Sequence, residues 1–265
     1  MIGVTKMNEV CLLKGLLIGD GHIDDRHLEI YNSSKSITRN AVLVLKDIGV
    51  PIERIKVDIY SDEPEMSMVT KWSSILELPI LNFILRENTS PWKARTEKMR
   101  IRVGSKQLLD LLAQQKVIED FHKQHYVKGL FDAEASVDVK GYIEFKQKAT
   151  ERGVKVVDEV YWILESFRIK TTKPSMKRDN RNNKTDVYLY VKDLEKYRKL
   201  IGFVDEVKAD KLNKLIEILK TEHSVDQEKF EQLIKLKSPI WDMMYELRLP
   251  YHTIRKLARS VQSSH

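Results

Sequence analysis

The chain has 265 residues, with 46 lysines and arginines against 39 aspartates and glutamates, a formal charge of +7 and a pI near 9.2. That length holds two moderate domains, or one duplicated domain with an appendage, and the basic surplus suits a polyanionic partner. A single cysteine, Cys11, excludes a disulfide framework, and no apolar run reaches the length of a membrane span, so a soluble protein of the cytoplasm is expected.

The first patterned stretch is Leu13-Lys14-Gly15-Leu16-Leu17-Ile18-Gly19-Asp20-Gly21. Positions i and i+4 of a helix share a face, so Gly15 and Gly19 form a flat stripe that ends at Asp20. Residues 21–34 predict a hairpin turning near Asp24-Asp25, its second strand being Leu28-Glu29-Ile30-Tyr31. The spacing of Ile37, Ala41, Val42 and Leu45 predicts a helix over 35–48, with Gly49 as terminator. Alternation predicts a strand over 54–60, where Ile55, Val57 and Ile59 oppose Arg54, Lys56, Asp58 and Tyr60. A second such strand, 98–103, sets Met99, Ile101 and Val103 against Lys98, Arg100 and Arg102, and a helix over 105–112 follows. Between these strands, residues 61–97 form an insertion with Trp72, Pro79, Pro91, Trp92 and the apolar run Ile80–Leu85. It reads either as a helical excursion that lengthens a DNA contact or as a loop packed on the first half.

The pattern then returns as Val127-Lys128-Gly129-Leu130-Phe131-Asp132-Ala133-Glu134-Ala135. Strands are predicted near 136–140 and 142–148, a helix over 153–167, and a hairpin over 169–191 turning in Arg178-Asp179-Asn180-Arg181-Asn182-Asn183. Helices near 193–201 and 205–220 complete the repeat. Glycine inside a helix costs about 1 kcal/mol relative to alanine, so two aligned small-residue stripes call for a reason. The plainest is a pair of helices crossing with their backbones nearly in contact, which would bring Asp20 and Glu134 together where both helices end. Two neighbouring carboxylates repel, and the end of a helix is itself partly negative. A divalent cation relieves both problems, and oxygen ligation with positions left for water and phosphate fits magnesium as nucleases use it. The bland alternative, a buried helix closed by an acidic cap, accounts for one copy of the pattern better than for two.

At these residues the sequence resembles the LAGLIDADG homing endonucleases of the single-chain, two-motif type, over roughly residues 8–220, with Ala135 in place of the glycine that usually ends the motif. The resemblance implies an α+β fold, a duplicated αββαββα unit with pseudo-twofold symmetry, in a monomer. Residues 1–115 would form the first half and 116–220 the second, with 221–265 a small all-α extension. It implies site-specific cleavage of double-stranded DNA with Mg2+ or Mn2+ held at Asp20 and Glu134, beside Gly19 and Ala133. The family carries a polar residue and a lysine where the second strand ends. Gln147 and Lys148 match in the second half, as further catalytic residues, whereas the first half has Asn32 and Ser33 with Lys35 out of phase. Unequal cutting of the two strands is therefore expected.

The polar strand faces would read DNA in the major groove, some residues touching only phosphates. Candidates in the first half are Arg26, Glu29, Tyr31, Asn32, Arg54, Lys56, Lys98, Arg100 and Arg102. In the second they are Tyr142, Glu144, Lys146, Lys173, Lys177, Arg178, Lys184, Tyr188 and Tyr190. In the tail, Phe230, Leu233, Ile234 and Leu236 predict one helix and residues 240–247 another. The order Leu-x-Leu-Pro-x-x-Thr-Ile-x-x-Leu resembles a helix-turn-helix in which Pro250 opens the recognition helix and Ile254 and Leu257 pack it. Tyr251, His252, Arg255, Lys256 and Arg259 would then face DNA. The plain alternative is a pair of packing helices with a basic end. His122 and His125 lack further ligands for zinc. Met1-Ile2-Gly3 and Ser263-Ser264-His265 lack splicing residues, so a free-standing protein is expected rather than an intein. Two other functions share such a scaffold: a non-cleaving DNA-binding regulator and an RNA maturase whose partner is intron RNA.

Overall fold

The structure is a computed structural model that describes residues 4–24, 26–88, 97–114, 120–179, 184–220 and 226–262. Helix α1 (Val4–Asp20) runs directly into strand β1 (Gly21–Ile23), which turns back as β2 (Leu28–Asn32). In that turn the Asp24 carboxylate accepts the amides of Arg26 and His27, each at 2.7 Å, as short acidic side chains do in turns. The other predicted turn residue, Asp25, lies outside the described residues. Helix α2 (Lys35–Asp47) starts at Ser34, whose hydroxyl accepts the Ile37 amide. It stops at Gly49, where φ is +93°, a conformation glycine adopts without steric cost. Then come β3 (Ile55–Ser61), α3 (Met66–Leu76), β4 (Phe83–Glu87), β5 (Lys98–Val103) and α4 (Lys106–Gln114).

Helix α5 (Asp120–Glu134) opens the second round and passes without a break into β6 (Ala135–Asp138), followed by β7 (Tyr142–Lys148). Helix α6 (Glu151–Ser166), β8 (Ser175–Asp179), β9 (Lys184–Val191), α7 (Leu194–Leu200) and α8 (Glu206–Lys220) complete it. Residues 180–183 of the predicted hairpin turn lie outside the described residues. The tail contributes α9 (Gln227–Lys235), α10 (Ile240–Leu247) and α11 (Tyr251–Gln262).

The strands form two sheets, ordered β1-β2-β5-β3-β4 and β6-β7-β9-β8. Without β4 both follow one path, with the fourth strand of the repeat inserted between the second and third. The fold class is α+β, one αββαββα arrangement occurring twice with a helical tail. Residues 89–96 of the insertion, with Pro91 and Trp92, lie outside the described residues, whereas residues 61–88 form a helix and a strand rather than a plain loop. Their helix α3 buries Val69, Trp72 and Leu76 and leads into β4, which pairs parallel with β3 from Val57↔Phe83 to Ser61↔Glu87. A parallel neighbour requires a crossover, commonly helical, and α3 supplies it. Buried Asn82 ties the crossover down by donating to the carbonyls of Ile52 and Ile55 at 2.6 and 2.7 Å. The first sheet therefore has five strands where four were expected.

By contacts the chain divides into two compact units, residues 1–134 with 203–206, and residues 135–202 with 207–265. The first has a continuous core in which Leu13, Leu16, Leu28, Ile30, Ala41, Leu45, Val57 and Ile101 are sealed from solvent. In the second, Ile143, Phe145, Val157, Val160, Leu189 and Val191 do the same between β7, β9 and α6. In the tail Phe230, Met244, Leu249 and Ile254 are buried, whereas Leu236, expected to pack, is 75% exposed. It stands at the C-cap of α9, past the last turn that the apolar face of that helix covers.

Candidate metal and nucleic-acid site

The site starts from glycine. A Cβ placed on Gly15 would collide with the carbonyl oxygen of Tyr126 and lie 2.7 Å from Leu130 N. One on Gly129 would collide with the carbonyl oxygen of Leu12 and lie 3.0 Å from Leu16 N. The contact is reciprocal and backbone meets backbone, so no side-chain adjustment could make room at either position. One turn further, a Cβ on Gly19 would collide with that of Ala133 and lie 2.9 Å from Glu134 Cγ. Helices α1 and α5 thus converge at their last turns, where Asp20 and Glu134 both stand half-buried.

Asn32, at the end of β2, donates from Nδ2 to Asp20 Oδ2 at 2.6 Å. Its amide is oriented from behind, since Oδ1 accepts the Ser34 amide at 2.6 Å. A neutral donor beside one acid eases the repulsion between the two without cancelling a charge. The donor set here is hard oxygen from two acids, together with helix-terminal backbone, and it fits Mg2+ or Mn2+. Among the described residues no group of three or more His, Cys, Asp or Glu side chains is arranged to hold a metal. A cation here would complete its shell with water or phosphate oxygens, an open site rather than a structural one. His122 is instead bonded to Asn8 at 2.7 Å. Burial lowers the pKa of His125, and the positive Lys128 beside it acts in the same direction. Cys11 is sealed in the core and burial pushes its thiol up to about 11.

Asp132, two residues before Glu134, is buried, and its carboxylate accepts the amides of Val204 and Asp205 at 2.9 to 3.0 Å. In the second unit Gln147 and Lys148 end β7, at the position that Asn32 and Ser33 hold at the end of β2. Lys148 is exposed, and Gln147 Nε2 is buried with no hydrogen-bond partner among the described residues. A Cβ on Gly153 would strike the Lys148 carbonyl oxygen; this glycine lets α6 start hard against the end of that strand.

On the outer face of the first sheet, β2, β5 and β3 place Tyr31, Arg100 and Asp58 in one row. Glu29, Arg102 and Lys56 form the next row, and Arg100 stacks between Tyr31 and Tyr60 at 5.8 and 5.7 Å. Burial works against the charge of Arg100, but hydrogen bonds to Tyr31 and Asp58 outweigh it and hold its pKa above the usual guanidinium value. Arg26, Arg54 and Lys98 are exposed, the first in the β1–β2 turn and the second just before β3. Asp58 and Arg86 escaped the sequence reading; a carboxylate at an outward position between arginine-bearing strands was the available signal.

The second sheet presents tyrosine and lysine instead. Tyr142, Tyr188 and Tyr190 cluster, with ring centroids 4.8 Å apart for Tyr142 and Tyr190, and Lys177 Nζ donates to Tyr190 OH at 2.7 Å. Lys192, a further residue missed from sequence, lies 4.4 Å over the Tyr142 ring. Glu144 and Lys146 pair across to Tyr190 and Tyr188, while Lys173, Arg178 and Lys184 are exposed around β8 and the start of β9. In the tail, α10 ends at Arg248 with φ +52°. Leu249 and Pro250 then lead into α11, where the Pro250 carbonyl accepts the amides of Thr253 and Ile254. His252, Arg255, Lys256 and Arg259 are exposed on α11, Ile254 faces inward, and Tyr251 accepts from Arg255 at 3.4 Å.

No protein-family profile matches the sequence, and no curated protein matches it. Among solved structures, the chain is similar to full-length DUF199/WhiA from Thermatoga maritima, with 14% identity over 89% of this chain and 68% of that one, at a TM-score of 0.48. It is also similar to I-DmoI in complex with DNA and Ca, with 14% identity over 78% and 98%, at a TM-score of 0.48. The N-terminal LAGLIDADG domain of DUF199/WhiA gives 13% identity over 84% and 86%, at a TM-score of 0.43. Among the described residues, no helix is long and apolar enough to cross a membrane.

Proposed function

We propose that this chain is a divalent-metal-dependent endonuclease that cuts double-stranded DNA at a long, asymmetric site. The observation that carries the reading is the glycine contact between α1 and α5, which seats two acids at one shared helix end. Asp20 and Glu134, with the adjoining Gly19 and Ala133, would hold Mg2+ or Mn2+. When bound, such a cation neutralises charge on the scissile phosphate and makes water easier to deprotonate. The chain's own groups do the rest. Asn32 fixes the rotamer of Asp20, Lys148 offers a mobile positive charge to phosphate, and Gln147 offers a buried amide donor. The basic sheet faces and α11 bind the duplex backbone and reach base edges.

The test is Asp20→Asn, which keeps size and the contact with Asn32 but removes the charge. Cleavage of the target duplex in magnesium should fall on the order of 100- to 10,000-fold, since a lost ligand forfeits several kcal/mol of transition-state stabilisation. Binding of the same duplex should survive. Undiminished cleavage would remove Asp20 from the chemistry.

A second reading, a DNA-binding protein that does not cut, is favoured by Ser33 standing where a lysine is expected, and by the three-helix tail. Incubating the uninterrupted host locus with the protein and magnesium separates the two: short 3′ overhangs support cleavage, and binding without cutting supports the alternative. Stimulated splicing of intron RNA would instead point to a maturase.

A further inference from the structure

The centre of the first sheet's outer face is a buried carboxylate. Asp58 is sealed from solvent, although it lies on the polar side of β3. Three arginines from two other strands cover it. Arg100 donates from Nε and Nη2 to Asp58 Oδ2, at 2.7 and 2.5 Å. Arg102 donates from Nη2 to Oδ1 at 3.3 Å, while its buried Nε, 3.1 Å from Oδ2, makes an ion-pair contact but no hydrogen bond among the described residues. Arg86, brought in on the inserted strand β4, places its Nε 3.3 Å from Oδ1.

The three guanidiniums are not equivalent. Arg100 is nearly enclosed, its remaining nitrogen lying 3.4 Å from Tyr31 OH and 3.5 Å from Glu29 Oε1, so little of its fork is left for a ligand. Arg86 is 41% exposed, and its two terminal nitrogens have no partner among the described residues. Arg102 is 28% exposed and also keeps a terminal nitrogen. With Glu29 counted, two carboxylates face three guanidiniums, which leaves the cluster a net single positive charge.

A free arginine on a surface carries about 2 kcal/mol of rotamer entropy and is drawn to any phosphate. Bracing it on a buried carboxylate removes both tendencies. A held, largely neutralised fork is suited to the two acceptors on the major-groove edge of guanine, the commonest specific contact of arginine.

We propose that Asp58 is a positioning residue for base readout, holding Arg86 and Arg102 as forks for guanine while Arg100 braces the assembly and the carboxylate suppresses indiscriminate phosphate binding. The inference rests on the DNA-binding reading above. It also gives the insertion a role, since β4 delivers one of the two forks.

The experiment is selection of the full-length protein on a duplex library randomised over about two helical turns, repeated with Asp58→Asn, Arg86→Gln and Arg102→Gln. The wild type should enrich a motif containing G·C pairs. Asp58→Asn should lose about 5- to 150-fold discrimination at each guanine so read, yet bind unselected duplex more tightly, with a salt dependence steeper by about one ion. Arg86→Gln and Arg102→Gln should each relax one base position. A motif unchanged by Asp58→Asn overturns the proposal, as does uniform weakening on selected and unselected duplex alike. If Asp58→Asn does not fold, the two arginine variants decide, and unchanged preference in both overturns it. A wild type that enriches no motif sinks the DNA reading itself, and the inference with it.

Discussion

Replacing Gly15 with alanine sets two effects of opposite sign against each other. Intrinsic helix propensity alone would make Gly15→Ala more stable by about 1 kcal/mol. The added methyl, however, enters a gap closed by peptide atoms of α5. Leu130 N would lie 2.7 Å from it, where ordinary contact begins at 3.4 Å, and the Tyr126 carbonyl closer still. The helices must therefore part by at least the difference, 0.7 Å. A gap of that size forfeits between a quarter and a half of the dispersion energy of each facing contact, and overpacking a rigid core costs about 1–3 kcal/mol. The site lies among peptide groups that cannot change rotamer, so the upper end applies, and a net loss of about 2 kcal/mol is expected. Urea unfolding followed by circular dichroism measures it. Gly104→Ala is the control, because its Cβ would meet nothing nearer than 3.7 Å, and it should be neutral to slightly stabilising. The same parting acts one turn from Asp20, so cleavage should drop on the order of 100-fold, as misplacing a reacting group by about 1 Å does. A Gly15→Ala protein as stable as the wild type, or more so, would refute the backbone contact.

Asp132→Ala should lower stability by about 2–4 kcal/mol, because it removes the acceptor of the part-buried amide of Val204 and the buried amide of Asp205; an unchanged urea midpoint would deny the carboxylate that role. Cys11, with its thiol raised to about 11 by burial, should resist alkylation at neutral pH and react only as fast as the protein opens. Rapid stoichiometric labelling of the native protein would contradict that placement. Arg255→Ala with Lys256→Ala should reduce the salt dependence of duplex binding by about 1.8 in log–log slope if each meets one phosphate. An unaltered slope would take α11 off the DNA.

The architecture was legible where spacing has one physical reading. The stripe of Gly15 and Gly19 cannot be rationalised by propensity, so its repetition at Gly129 and Ala133 points to contact from the sequence alone. Alternation located β3 and β5 within a residue, because each strand has one face in the core. The inserted strand was not legible: Ile80–Leu85 is an apolar run without alternation, and its parallel pairing with β3 depends on a crossover that no local pattern encodes. Asp58 was hidden for a related reason. On its own strand it reads as one more solvated polar residue, and only the register of β4 and β5 reveals three arginines above it. Asn32 lay between: its position was read from alignment with Gln147, but its bond to Asp20 depends on how α1 meets the hairpin.

The pairing of α1 with α5 has a bearing on how the molecule is made. About a hundred residues separate the partners, so the first helix leaves the ribosome long before its mate exists. Until residue 134 has emerged, the groove at Gly15 is empty and the leucines beside it lack their cover, and a chain released before α5 would keep them so. Synthesis of the second motif is therefore the event that allows the first to close, and the interval between them is when this protein most needs protection from its neighbours.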